Sequence, residues 1–220
     1  AAGDYSTAFG RSTEAKGYIS TAFGNSTQAN GQDATAFGSS SIAVGDYSTA
    51  FGSYTQAGKV TYKNENGSET EAKIVEYTTA AGNKKYKIVS KDGLTLLSNN
   101  NGAGFYYSEA LNDSNLTKQG DYTTAFGSNT VASGDNSTAF GSSTKATGSS
   151  STAFGSITEA NGPSGTAFGS TTQANGQYAT AFGRNTQANG YNSTAFGNYT
   201  QANGQDATAF GSSSIAAGDY

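Results

Sequence analysis

Histidine, cysteine, methionine and tryptophan are all missing from these 220 residues, and proline occurs once. Without cysteine there is neither a disulfide framework nor a thiolate metal site. Without histidine the commonest general base is gone. Charge is scarce, at 13% of residues, and its balance of −4 leaves no basic footprint for nucleic acid or a membrane surface. Apolar runs are only a few residues long, so no segment is expected to span a bilayer or to act as a signal peptide. Export would remove such a peptide, so this does not argue against secretion. Glycine is plentiful, at 30 residues, yet the single proline excludes collagen and proline-rich linkers. An apolar content of 34% with so little charge suits a repeat ordered by backbone ladders better than a compact globule.

What is present is a repeat. Thr-Ala-Phe-Gly recurs with its phenylalanines at Phe9, Phe23, Phe37, Phe51, Phe126, Phe140, Phe154, Phe168, Phe182, Phe196 and Phe210. Every step is 14 residues except Phe51 to Phe126, which is 14 plus an insertion of 61. Thr or Ser follows each Phe by four positions (Thr13, Thr27, Ser41, Thr144, Thr186). Ala follows by six (Ala15, Ala29, Ala146, Ala174), and Gly by eight in most units (Gly17, Gly31, Gly134, Gly176). The column between Thr and Ala varies freely: Gln28, Ile42, Val131, Lys145, Glu159.

Fourteen residues with two glycines read as two short strands per turn of a parallel β-solenoid, Ser-Thr-Ala-Phe and x-Thr-x-Ala-x. Glycine at each junction is expected to supply positive φ. Side chains alternate across a strand, so Thr and Ala of the second strand share one side and the variable residues take the other. The small unvarying side must be the interior. In the first strand Ala lines that interior, and Thr and Phe then point out. At about 4.8 Å per rung the Phe stripe would run roughly 50 Å, more apolar surface than a monomer tolerates. Placing Phe inside is the plainer alternative, but an interior of Ala and Thr leaves it little room. The stripes of several chains are therefore expected to meet on a symmetry axis.

The unit Asn-Ser-Thr-Ala-Phe-Gly-x-x-Thr-x-Ala-x-Gly, whole at Asn136–Gly148 and Asn192–Gly204, resembles the head repeat of YadA-like trimeric autotransporter adhesins. There Ser-Val-Ala-Ile-Gly is usual, so Thr stands here for Val and Phe for Ile. The resemblance covers residues 1–58 and 120–220. It implies an all-β, left-handed parallel β-roll forming a homotrimer at a Gram-negative cell surface. An outer-membrane barrel, not part of this sequence, would anchor it, so this stretch makes no direct membrane contact. Ala1–Tyr5 repeats as Ala216–Tyr220, as expected of an array cut in mid-rung. Asn25–Tyr47 and Asn198–Tyr220 differ only at Ser26/Tyr199 and Val44/Ala217, as expected of segmental duplication.

Residues 59–119 break the composition. All five leucines lie here, with five of the fourteen tyrosines. Eight of the twelve basic residues stand against seven acids, a net +1 that leaves −5 on the rungs. Ala57 and Gly120 keep the frame, so the insertion should leave one turn without disturbing the stack. Its pattern reads as a β-meander with strands Val60–Lys63, Ala72–Thr78, Lys85–Ser90, Leu94–Leu97 and Phe105–Ser108. Turns are expected at Asn64–Gly67, at Gly82-Asn83 and at Lys91-Asp92-Gly93. The expected domains are thus roll 1–58, inserted meander 59–119, and roll 120–220.

No catalytic or metal site and no cofactor is expected. Asp4, Asp33, Asp46, Asp135 and Asp206 lie near one corner, where solvated turn chemistry accounts for them. Two binding candidates remain. One is the insertion's aromatic set, Tyr62, Tyr77, Tyr86, Phe105, Tyr106 and Tyr107, some of which its own core must absorb. The other is the variable face, where Gln28, Gln56, Gln173, Gln187 and Gln201 run beside Asn30, Asn175, Asn189 and Asn203, either as a ligand surface or as ordinary solvated surface. The expected function is attachment to host matrix proteins or immunoglobulin-like receptors, with the eleven phenylalanines as the trimer interface. The alternatives are an ice-binding solenoid built on threonine ladders, and a carboxylate-using enzyme, for which the acids are too scattered.

Overall fold

The computed structural model describes residues 1–63, 69–78, 84–90 and 116–218, with side chains for 1–59 and 120–218. The described residues fall into two compact units, 1–58 with 120–218, and 59–119.

The first unit is a parallel β-solenoid of eleven rungs. Each rung gives a five-residue strand, from Thr7–Arg11 to Thr208–Ser212, to one eleven-stranded sheet. It gives a two-residue strand, from Glu14–Ala15 to Ile215–Ala216, to the other. Pairing is parallel and in register, so Thr lies on Thr, Ala on Ala and Phe on Phe. The register holds across the insertion: Phe51 pairs with Phe126 and Ala57 with Ala132. Among the described residues no helix is present.

Four columns face inward. Ala22 and its equivalents come from the long strand and Ala29 and its equivalents from the short one, and both are buried except at the end rungs, where Ala8 and Ala216 are half-buried. The second-strand threonines (Thr27, Thr55, Thr144, Thr186) are buried as expected. A fourth column, Ser20, Ala34, Ser48, Thr123, Ser137 and their equivalents, is buried too. Ser20 and Ser193 each donate to the glycine carbonyl three residues back, at 2.7 Å. Every buried hydrophobic side chain described is an alanine. With so little apolar area per rung, order rests on continuous backbone pairing rather than on a thick core.

The glycines act differently from the expectation. Gly at Phe+1 sits inside the long strand, not at a junction, with φ between +114° and +136°. Gly at Phe+8, as at Gly17 or Gly176, has ordinary φ. It is needed because a Cβ would strike the carbonyl of the next rung's glycine. The left-handed corner positions are taken by other residues, among them Tyr47, Tyr122 and even the β-branched Ile19 (φ 51°) and Ile157 (φ 55°). Each costs about 1–2 kcal/mol against a right-handed residue. The ladder holds them: Tyr47 N–H donates to the Gln32 carbonyl at 2.8 Å and Ile157 N–H to that of Ser142 at 2.9 Å.

The second unit is an antiparallel sheet in the order Lys84–Ser90, Glu69–Thr78, Lys59–Lys63, Leu116–Gln119. The first three strands match the sequence expectation to within a few residues. Leu94–Leu97, Phe105–Ser108 and the three expected turns lie outside the described residues. Leu116–Gln119 was not expected. It follows from topology: the insertion must return to Gly120, whose position in the roll is beside Gly58, so incoming and outgoing segments run together and pair Lys59 with Gln119.

Candidate functional site

The roll presents two outer faces. On the long-strand sheet Thr, Phe and the residue after Gly point outward. The eleven rings form one stack, with centroids 4.7–5.1 Å apart and planes within 10° of parallel. It runs unbroken past the insertion, where Phe51 and Phe126 are 4.7 Å apart. Stacking covers each inner ring on two sides, yet 37–40% of each inner phenylalanine stays exposed, rising to 63% at Phe9 and 72% at Phe210. The alternative with Phe inside is excluded.

The short-strand sheet carries amides. Asn161, Asn175 and Asn189 each donate from Nδ2 to the Oδ1 of the asparagine in the next rung, at 2.8–2.9 Å, ending at Asn203. Thr147 Oγ1 heads the ladder, donating to Asn161 Oδ1 at 2.9 Å. Beside it the glutamines run the other way: Gln187 Nε2 donates to Gln173 Oε1 at 3.2 Å, and Gln173 Nε2 to Glu159 Oε2 at 3.4 Å. A carboxylate only accepts, so Glu159 sets that direction. Lys145 Nζ closes the row on Glu159 Oε1 at 2.8 Å. That charge-assisted bond is the largest influence holding the Glu159 carboxyl below the usual range. Burial opposes it, while the Lys145 charge and bonds from Asn161 and Gln173 add to it.

Of the expected amide set, Gln173, Gln187, Asn175, Asn189 and Asn203 join these ladders. Gln28 and Asn30 pair only with each other at 3.4 Å, and Gln56 turns back to the Gly58 carbonyl. Asn161, Thr147 and the Lys145–Glu159 pair were missed, although the 14-residue spacing alone places them in these columns.

The corner acids do structural work. Asp46 Oδ1 accepts from Gln32 N–H and Asp121 Oδ1 from Asp46 N–H, each at 2.9 Å, and Asp135 Oδ1 accepts from Gly120 N–H at 2.8 Å. Among the described residues no group of three or more acids is placed to hold a metal ion. The insertion's candidates are only partly placed. Tyr62, Tyr77 and Tyr86 lie on three neighbouring strands, while Phe105, Tyr106 and Tyr107 lie outside the described residues. An ice-binding threonine face finds no support, since one column is buried in the interior and the other shares its face with Phe.

The family described as YadA head domain repeat (2 copies) matches residues 1–27, 29–55, 119–144, 146–172, 174–200 and 202–220. No curated protein matches the chain.

Proposed function

The chain belongs to the YadA head-repeat family, and from that premise we propose that it is the binding head of a homotrimeric bacterial surface adhesin. The carrying observation is the stack of eleven phenylalanines left partly exposed along one whole face. Removing the remaining exposed area from water would contribute about 1 kcal/mol per ring, or about 10 kcal/mol per chain. A stripe of identical residues has no distinct partner inside its own chain. It fits a second and a third copy of itself, packed about an axis parallel to the stack.

The proposed host contact is drawn from the rest of the surface. From Thr147 to Asn203 the amide face is occupied with its own hydrogen bonds. Residues 59–119 differ in composition and charge, and three copies on one rod would add avidity without improving any single contact. The selective contact therefore lies on this insertion, with exposed members of Tyr62, Tyr77, Tyr86, Phe105, Tyr106 and Tyr107 as anchors. The ligand class is a matrix protein or an immunoglobulin-like receptor, met at the bacterial surface by a head whose outer-membrane anchor is a separate part.

The test compares the intact head with a variant lacking 59–119, in binding to host cells and to purified matrix proteins. The variant should stay a trimeric roll, because Gly58 and Gly120 are already neighbours, and should lose binding. Undiminished binding by a trimeric variant would move the contact to the roll itself.

A further inference from the structure

The hexapeptide Thr-Gln-Ala-Asn-Gly-Gln occurs three times, at 27–32, 172–177 and 200–205. Asn-Gly is the sequence most prone to spontaneous deamidation, because glycine offers no side chain to hinder attack by its own backbone nitrogen. The three copies share one local chemistry and differ only in what the fold puts beside them. Asn175 sits inside the amide ladder, accepting from Asn161 at 2.9 Å and donating to Asn189 at 2.8 Å. Asn203 ends the ladder and accepts a single bond, from Asn189 at 2.8 Å. Asn30 has no amide above or below, for its column neighbours are Lys16 and Val44. Its Nδ2 reaches only Gln28 Oε1 at 3.4 Å, and its Oδ1 is buried without a partner.

We propose that Asn30 is the roll's deamidation site, and that the ladder from Thr147 to Asn203 is a shield that keeps identical Asn-Gly pairs from reacting. In the reaction the Gly31 nitrogen bonds to Asn30 Cγ as the Cγ–Nδ2 bond breaks. The side-chain nitrogen leaves as ammonia, taking the Gly31 amide proton. Water then opens the cyclic imide to aspartate or isoaspartate, and no oxidant or cofactor is consumed.

To reach its own Gly nitrogen the side chain must turn out of the column. Asn175 has to open two well-formed bonds, Asn203 one, and Asn30 only a long one. The attacking nitrogen is also held differently: Gly31 N–H reaches the Ala43 carbonyl at 3.4 Å, against 3.3 Å for Gly176 to Ala188. That difference is slight, and the ladder is the larger effect. Each ordinary hydrogen bond that must open slows the step by up to about tenfold. Asn30 is thus expected to react about tenfold or more faster than Asn175, with Asn203 between. The product places a new carboxylate, or a lengthened backbone, at the end of the second rung's short strand.

The full chain is incubated at mildly alkaline pH and deamidation followed by peptide mass spectrometry. Tryptic peptides 17–59, 146–184 and 185–220 carry the three sites, and fragment ions distinguish Asn175 from Asn161 and Asn203 from Asn189 within them. The expected order is Asn30, Asn203, Asn175 in the folded protein, collapsing to similar rates in denaturant. Val44→Asn, which gives Asn30 a ladder neighbour, should slow it toward Asn175, and Asn189→Ala should speed Asn175. Equal rates at Asn30 and Asn175 in the folded chain, or the same ranking persisting in denaturant, would overturn the proposal.

Discussion

The two outer faces of the roll carry stacked identical residues to opposite ends. On the amide face, from Thr147 to Asn203, each side chain hydrogen-bonds the one beside it, and that stretch of the row is satisfied along its own length. On the phenylalanine face each inner ring is stacked on both of its faces, but its outward edge is left uncovered, and more than a third of each residue stays in water. Polar stacking is satisfied along the axis; apolar stacking is unfinished across it. One face can therefore remain surface, and the other calls for a partner.

The largest test of that contrast puts one negative charge on each face. Phe168→Asp should abolish the proposed trimer at micromolar concentration, since it would set like charges together in an apolar seam. Asn203→Asp keeps the acceptor that Asn189 needs, and should change stability by less than about 0.5 kcal/mol. Comparable sedimentation of the two variants would erase the distinction between the faces.

A second test sharpens the contrast between outside and inside. The buried column Thr27, Thr55, Thr130, Thr144, Thr158, Thr172, Thr186 and Thr200 has hydroxyls with no protein partner, whereas the single hydroxyl proton of Ser41 in the same column has the Phe37 and Gly52 carbonyls within reach, at 3.1 and 2.9 Å. An unpaired buried hydroxyl costs about 1–3 kcal/mol. Thr158→Val should therefore stabilise the roll by about that amount in denaturant unfolding at fixed protein concentration. The same change at Thr147, which heads the amide ladder, should destabilise it by about 1 kcal/mol or less. Opposite signs are the expected outcome; equal signs would mean that the inner hydroxyls are paired.

The smallest effect is one of pH. Lys145 lowers the Glu159 pKa on folding, so the pair's contribution is present above the ordinary carboxylate range. It is lost as pH falls through the depressed folded value, from about pH 4 downward. The pair is partly exposed and its worth is correspondingly small. Melting curves of the chain and of Glu159→Gln should differ near neutral pH and converge in acid. A gap that widens in acid would reverse the sign.

Most of the roll was readable beforehand because each structural decision is made eleven times. A column of Ala every 14 residues admits only an in-register stack, and alternation then fixes which columns face in. The outward Phe followed from the size of Ala22 and Thr27, which leave no room for a ring. The duty of each glycine was not readable. Both Gly10 and Gly17 need the space of a missing Cβ beside the next rung, and only Gly10 also needs a positive φ, which the spacing does not reveal. Nor could single residues reveal that Ile19 and Ile157 adopt left-handed φ, for the ladder imposes this on whatever stands at the corner. The direction of the glutamine row depends on one carboxylate, Glu159, whose meaning appears only once Gln173 lies beside it. In the insertion nothing repeats. Alternation and turn residues located three strands there, while Leu116–Gln119 arose from the return to Gly120, a constraint set outside its own sequence.

Sedimentation equilibrium of the purified chain tests the central claim, that the phenylalanine face is closed by other copies. A species of three times the chain mass should persist at micromolar concentration. A folded monomer under the same conditions, with its stripe of rings left in water, would contradict it.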